Sequence, residues 1–182
     1  MNTTQLLRCL MLAAVFACIS FQTVSADDEK EANPLDEAHA KLKATLDEVN
    51  DLFFKEAKSK SGVPFYVVMW EQGGEVSKIH LELRNLGQYN GEPVYGLSSY
   101  SVVVQADGVL PPAVIKAAIT KNDASGIGAF SMTEEFNTVY FSSIVPSEAL
   151  TPAQIWMVCA YVHKNRIEFR EAMNELLSGA GR

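Results

Sequence analysis

The sequence predicts a two-layer α+β fold with the element order α-β-β-β-α-β-β-α, in which helices cover an antiparallel sheet. Apolar residues recur at threes and fours near both ends of the chain that follows residue 26, which is the spacing of amphipathic helices. Between these segments, stretches of alternating apolar and polar residues are joined by short turns rich in glycine and asparagine. Such turns are too short for the crossovers that parallel strands require, so we expect antiparallel hairpins.

Residues 1–26 show the order of regions that is typical of a secretory signal peptide. A polar start that ends in Arg8 precedes the apolar run CLMLAAVFACISF, and small residues lead up to Ala26. The run has 13 residues, fewer than the roughly 20 of a membrane-spanning helix, so we expect cleavage after Ala26 and export, periplasmic or secreted. A lipoprotein cut before Cys18 is the alternative, although the bulky Phe16 disfavours it.

The predicted mature chain contains one domain. Removal of 26 residues from 182 leaves 156, which we divide into an acidic disordered tether (27–34), an α+β domain (35–178) and a flexible tail (179–182). The formal net charge changes from −7 to −8, because Arg8 is the one charged residue that the signal peptide removes. A negative surface repels nucleic acid and anionic lipid headgroups, so neither is an expected partner, and no membrane anchor is expected after cleavage.

The first helix is predicted to begin at Leu35, because apolar side chains line one face at helical spacing. Ser61-Gly62 is expected to end it. Charged residues cover the opposite face, as in a solvated helix rather than a metal site. The apolar positions are Leu35, Ala38, Leu42, Leu46, Val49 and Phe53.

A β-hairpin follows, with PFYVVMWE and VSKIHLELRNL as its strands and Gly73-Gly74 between them. A two-residue loop pairs Val67 with His80, whereas a three-residue loop pairs Tyr66 with His80 and exchanges the two faces. The two-residue loop is favoured, and it places Val67, Met69 and His80 on the second face, away from the core. An apolar pair on a half-polar face needs cover from another element, a second subunit or a bound peptide, so these three are the predicted binding residues.

The next elements are a strand over 94–105, a short helix opened by Pro111-Pro112 and the strand GAFSM. The glycine pair of Gly126-Ile127-Gly128 lies between the last two. A dinucleotide-binding turn follows a strand and opens a helix, whereas here the helix comes first and Ser131 stands at the place of the third glycine. We therefore interpret the glycines as a helix-to-strand connector, and no nucleotide cofactor is expected.

The final two elements are the strand TVYFSSIV, which forms a second hairpin with GAFSM, and a long helix. Thr151-Pro152-Ala153-Gln154 has the residues of a capping box with proline at the first helical position. Leu150 is expected to pack on Ile155 as a hydrophobic staple, and Gly179 is expected to end the helix.

Candidates for catalysis are few. His39, His80 and His163 lie on separate predicted elements and lack the spacing of a metal-binding pair, so no metal is expected. Cys159 and His163 are four residues apart on one helix and form the most enzyme-like pair in the mature chain. Cys159 lies in an apolar run, which predicts a buried thiol rather than a reactive one. No catalytic residue is therefore expected.

Residues 110–166, LPPAVIKAAITKNDASGIGAFSMTEEFNTVYFSSIVPSEALTPAQIWMVCAYVHKNR, resemble the YbjN family. The shared features are a proline-led short helix with an asparagine near its end, a Gly-x-Phe strand, an apolar strand and Leu-Thr-Pro-x-Gln at the start of a long helix. With the preceding hairpin, the resemblance covers roughly residues 40–178. The family is similar in fold to type III secretion chaperones, which are cytoplasmic, whereas this chain carries an export signal.

The resemblance implies a module that binds a protein or peptide without catalysis, often as a dimer in the chaperone relatives, with stress-response or regulatory roles attached to some family members. We therefore expect an exported, non-enzymatic binding module with a protein or peptide partner in the cell envelope. The alternative hypothesis is a small-ligand-binding or hydrolytic envelope domain that uses Cys159 and His163.

Overall fold

The structure, a computed structural model, describes residues 33–122, 127–148 and 150–179. The predicted signal peptide, residues 27–32 of the tether and residues 180–182 of the tail lie outside the described residues. Within the described ranges there are three helices and six strands. In chain order they are α1 (Pro34–Asp47), β1 (Phe53–Lys58), β2 (Pro64–Gln72), β3 (Glu75–Tyr89), β4 (Glu92–Gln105), α2 (Pro112–Asn122), β5 (Gly128–Met132), β6 (Thr138–Pro146) and α3 (Pro152–Gly179).

The six strands form one sheet in the order β1-β2-β3-β4-β6-β5, and every neighbouring pair is antiparallel. The first four strands follow one another as neighbours. The α2 helix then carries the chain to the far edge, where β5 lies, and β6 returns to a place beside β4. The predicted α+β class with an antiparallel sheet is confirmed.

The predicted first helix was too long, and the predicted order lacked one strand. The helix ends at Asp47, and residues 53–58 form β1 instead. Asp51, with φ of 60°, reverses the chain after the helix, and Gly62, with φ of 84°, lies in the hairpin turn that joins β1 to β2. The actual order is therefore α-β-β-β-β-α-β-β-α.

Two adjacent phenylalanines explain why helical spacing misled the prediction here. Phe53 matched the helical repeat, yet its side chain is exposed. Phe54 faces the core instead and packs edge-on against Tyr66, with 5.9 Å between the ring centroids. Pairing of this short aromatic segment with β2 overrode the local helical pattern, as tertiary context commonly does.

Side-chain caps mark the starts of two helices. Asn33 accepts a hydrogen bond from the Leu35 amide at 3.1 Å, so residues 33 and 34 begin α1 rather than end the predicted tether. At α3, the Thr151 amide donates to Gln154 Oε1 at 2.9 Å and the Gln154 amide donates to Thr151 Oγ1 at 3.3 Å. The predicted capping box is confirmed.

The described helices lie on one face of the sheet and form the core with it. Alternate residues along β2 and β3 point into this core, including Tyr66 opposite Leu81 and Val68 opposite Ile79. This is the register of the favoured two-residue loop. The core also takes large buried side chains from both layers, among them Leu42, Leu46, Leu97, Phe141, Ile155 and Met173.

The glycine pair lies, as predicted, between a helix and a strand rather than between a strand and a helix. Gly128 is the first residue of β5, whereas Gly126 lies outside the described residues. Asn122, at the end of α2, forms two hydrogen bonds with the backbone of β5. Its side-chain amide donates to the Phe130 carbonyl at 2.9 Å and accepts from the Phe130 amide at 2.5 Å.

Candidate interaction face of the sheet

The second face of the sheet, which we call the open face, has no helix over it among the described residues. The hairpin register places Val67 directly opposite His80 and Met69 opposite Lys78 on this face. Val67 and His80 are half-buried by their strand neighbours, and Met69 is 44% exposed. The three predicted binding residues are thus neighbours on one surface.

An aromatic row crosses the open face from β2 to β6. It consists of Phe65, His80, Tyr100 and Tyr140. The His80 ring is stacked between its neighbours, with centroid distances of 5.8 Å to Phe65 and 4.8 Å to Tyr100, and Tyr140 meets Tyr100 edge-on at 5.9 Å. Such contacts across strands stabilise the sheet and fix the positions of the rings.

Sequence reasoning found His80 but missed the three aromatic partners. Phe65 could have been found, because it alternates in phase with Val67 and Met69 along β2. The two tyrosines could not be placed, because their position beside His80 depends on the pairing of β3 with β4 and of β4 with β6. Such pairing between distant segments leaves no periodic signal in the chain.

Exposed aliphatic side chains extend the aromatic row into a larger apolar surface. Val102 on β4 and Ile144 on β6 are 40% and 48% exposed, and Leu86 at the end of β3 is 51% exposed. The side chains of Leu86 and Ile144 pack against Gly96. A Cβ atom at this position would lie 2.8 Å from Leu86 Cδ1 and 3.1 Å from Ile144 Cγ1. The glycine therefore lets these two side chains meet across β4.

His80 and Tyr100 are uncharged at neutral pH, and charged residues flank His80 along β3. Burial lowers the pKa of His80, and the nearby Lys78 lowers it further, whereas Glu82 acts in the opposite sense. Burial likewise raises the pKa of Tyr100. His80 is therefore a neutral imidazole between Lys78 on one side and Glu82 on the other along β3.

The alternative site, Cys159 with His163, lies in the core beneath the other face. Cys159 is fully buried, and burial raises the pKa of its thiol to about 12. His163 Nδ1 is hydrogen-bonded to the Ser77 hydroxyl at 2.7 Å, and burial lowers the pKa of this histidine. The pair therefore presents no accessible thiolate, which a cysteine nucleophile requires.

We expect Cys159 to remain unmodified by DTNB at about pH 8 in the folded protein and to react completely after denaturation. A buried thiol with a pKa of about 12 is almost wholly protonated at that pH. Absorbance of the released thiol reports the reaction, and Cys159→Ser identifies the residue responsible. Rapid modification of the native protein that disappears in Cys159→Ser would favour the hydrolytic hypothesis.

Among the described residues, no group of three or more His, Cys, Asp or Glu side chains could hold a metal ion. None of the helices in these ranges combines the length and apolar character needed to cross a bilayer. No protein-family model matches the chain, and no curated protein is similar to it in sequence.

Proposed function

We propose that the protein is an exported, non-enzymatic module that binds another protein through the open face. One observation carries the proposal: the six-stranded sheet has helices on one face, while the other face presents the aromatic row and exposed aliphatic side chains with no described element over them. Soluble proteins rarely leave such a surface in water unless it contacts a partner. The apolar pair Val67 and Met69 lies within this surface.

The composition of the open face fits a protein partner. Aromatic residues, methionine and arginine are enriched at protein–protein interfaces, and the face carries Met69, Tyr100, Tyr140 and Arg84 together with exposed aliphatic residues.

The packing of the rings also disfavours a sugar or a nucleic-acid base. Such ligands stack on a free aromatic face. His80 has Phe65 against one side of its ring and Tyr100 against the other, so both of its faces are already occupied. This histidine therefore offers no free ring face on which such a ligand could stack.

Two features of the sequence support export and non-enzymatic protein binding. Residues 1–26 have the pattern of a signal peptide, which supports export and a partner in the cell envelope. The resemblance of residues 110–166 to the YbjN family, with its chaperone-like fold, supports protein binding without catalysis. A stress-related or regulatory role belongs to the same proposal.

We expect Met69→Asp to reduce capture of envelope proteins by the immobilised protein at least tenfold, because binding would then bury an unpaired carboxylate. The matched control is Met157→Asp, which changes a methionine that is 57% exposed on α3. Bound proteins are identified by mass spectrometry, with competition by soluble protein to show saturable binding. Capture lost in Met157→Asp but retained in Met69→Asp would instead assign binding to α3.

A further inference from the structure

We propose that the protein that covers the open face is a second copy of this chain, packed sheet to sheet about a two-fold axis that crosses the strands at His80. The inference rests on the proposed function and specifies its partner. Closed two-fold dimers are the commonest oligomers of soluble proteins, and they require a surface that is complementary to itself. The open face meets this requirement in charge, in apolar content and in size.

The charge pattern along β3 is the first argument. Lys78, His80 and Glu82 point to the same face, so a positive and a negative side chain lie at equal distances on either side of a neutral histidine. A two-fold rotation about an axis through His80, in the plane of the interface and perpendicular to the strands, exchanges these two positions. Each Lys78 then faces Glu82 of the second copy.

The distances allow these contacts. Sheets that pack face to face lie about 10 Å apart with nearly aligned strands, and extended lysine and glutamate side chains together can cross that gap. Two such ion pairs would form, one on each side of the axis. Because a buried charge without a partner is costly, these pairs also define the register of the two sheets.

A second pair of charges obeys the same symmetry. Arg84 lies four residues after His80 on β3, and Val76 lies four residues before it, with Glu71 of β2 directly opposite Val76. The rotation that brings Lys78 to Glu82 therefore brings Arg84 next to Glu71 of the second copy. Both residues are exposed in the single chain, where Arg84 also forms an ion pair with Glu82 at 3.4 Å, so this contact would extend that pair at the margin of the interface.

Apolar groups occupy the centre of the arrangement. Val67 and Tyr100 are the strand partners of His80 and lie along the proposed axis, so each meets its own counterpart in the second copy. Met69 comes to lie over Phe65 of the second copy on β2. Lys55, the position on β1 opposite Val67, lies near the axis at the edge of the sheet, where its long side chain can extend into water.

The size of the open face suits a stable dimer. Six strands about 4.8 Å apart span about 24 Å, and the nine residues of β2 extend for about 30 Å. The face therefore covers roughly 700 Å², close to the roughly 800 Å² that each partner buries in a specific interface of standard size. One copy of the face is large enough to cover the other.

The test exchanges charges and follows self-association of the purified protein by analytical ultracentrifugation. We expect Lys78→Glu alone and Glu82→Lys alone to weaken the dimer at least tenfold, because each places like charges opposite one another. The double variant should return to within about threefold of the wild type. A mixture of the two single variants should form heterodimers, since an acidic face then meets a basic one.

The control is the double exchange Lys164→Glu with Glu168→Lys, which reverses an exposed ion pair on α3 and should leave the dimer unchanged. A monomeric wild type at about 100 µM, or single variants that neither regain affinity when combined nor pair when mixed, would overturn the inference. If the wild type is monomeric yet Met69→Asp still abolishes capture of another envelope protein, the proposed function stands without the dimer. If neither effect is seen, both proposals fail.

Discussion

Replacing Gly128 with alanine is expected to lower the free energy of unfolding by about 3 kcal/mol and the melting temperature by about 6 to 12 °C. Gly128 begins β5 on the side that faces the core. A Cβ atom there would lie 2.5 Å from Cζ of Phe141 and 2.6 Å from the carbonyl oxygen of Ser142. Real Cβ atoms do not approach other atoms so closely, so either the ring or the backbone must move.

The surroundings of the Phe141 ring make that movement costly. The side chain is fully buried, and it packs edge-on against Phe130 at 5.0 Å and Tyr161 at 5.6 Å between ring centroids. A shift of this ring therefore disturbs β5 and α3 together, because interiors are packed with few voids. The other close atom belongs to the backbone of β6, the hydrogen-bonded neighbour of β5.

Gly108→Ala is the matched control, since a Cβ atom added there has no neighbour within 4 Å and the residue is not in the left-handed region. We expect its free energy of unfolding, measured by thermal and urea denaturation, to lie within about 0.5 kcal/mol of the wild-type value or slightly above it. Equal stability of Gly128→Ala and Gly108→Ala would contradict the close packing of Phe141 on β5.

Arg166→Ala is expected to lower the free energy of unfolding by about 2 to 3 kcal/mol. The Arg166 guanidinium donates hydrogen bonds to three acceptors on two strands. Its Nε donates to the Val102 carbonyl at 2.8 Å, and its Nη1 donates to the Val76 carbonyl and to Ser77 Oγ, both at 3.3 Å. The Ser77 hydroxyl is also hydrogen-bonded to His163 Nδ1 at 2.7 Å. Removal of the arginine leaves the buried Ser77 hydroxyl and two strand carbonyls without this donor.

The arginine also links the core to the open face. The pairing of β4 with β6 shifts register between Val102 and Val104, and Arg166 binds the carbonyl at the start of that bulge from the helical side. The Val102 side chain projects on the opposite side, into the open face. Loss of the arginine is therefore expected to loosen the part of β4 that carries Val102 as well as to destabilise the fold.

Urea denaturation checks the stability effect, with Lys164→Ala as the control on the exposed side of the same helix. Lys164 forms an exposed ion pair with Glu168 at 3.6 Å, and such pairs contribute about 0 to 1 kcal/mol. Arg166→Lys should regain little stability, because an ammonium group cannot reproduce the fixed fork of a guanidinium. Full stability in Arg166→Lys would indicate that charge alone, rather than the forked contact, is what matters.

Much of the fold could be predicted because its signals are local. The capping box at Thr151 and Gln154, the alternation of β3 around Ile79 and Leu81, and the two-residue loop at Gly73-Gly74 each depend on residues close together in the chain. The strand β1 could not be predicted in this way. Its aromatic segment continues a helical repeat in the sequence, and it forms a strand because it pairs with β2.

The candidate site likewise contains a part that local patterns predict and a part that depends on tertiary contacts. Alternation along a single hairpin was sufficient to place Val67, Met69 and His80 on one face. Joining His80 to Tyr100 and Tyr140 required the pairing of three strands, and placing Arg166 beneath Val102 required the docking of α3. Each of these contacts joins residues at least 20 positions apart.

By itself, the sequence determined the α+β class, the antiparallel hairpins, the capped final helix and the side of the β2–β3 hairpin that faces away from the core. These features follow from steric and hydrophobic preferences that repeat every two or 3.6 residues. Only the tertiary structure decided that residues 53–58 form an edge strand, that an aromatic row crosses four strands, and that all described helices share one face of the sheet. Register between distant strands depends on which surfaces pack best together, and no local repeat records that choice.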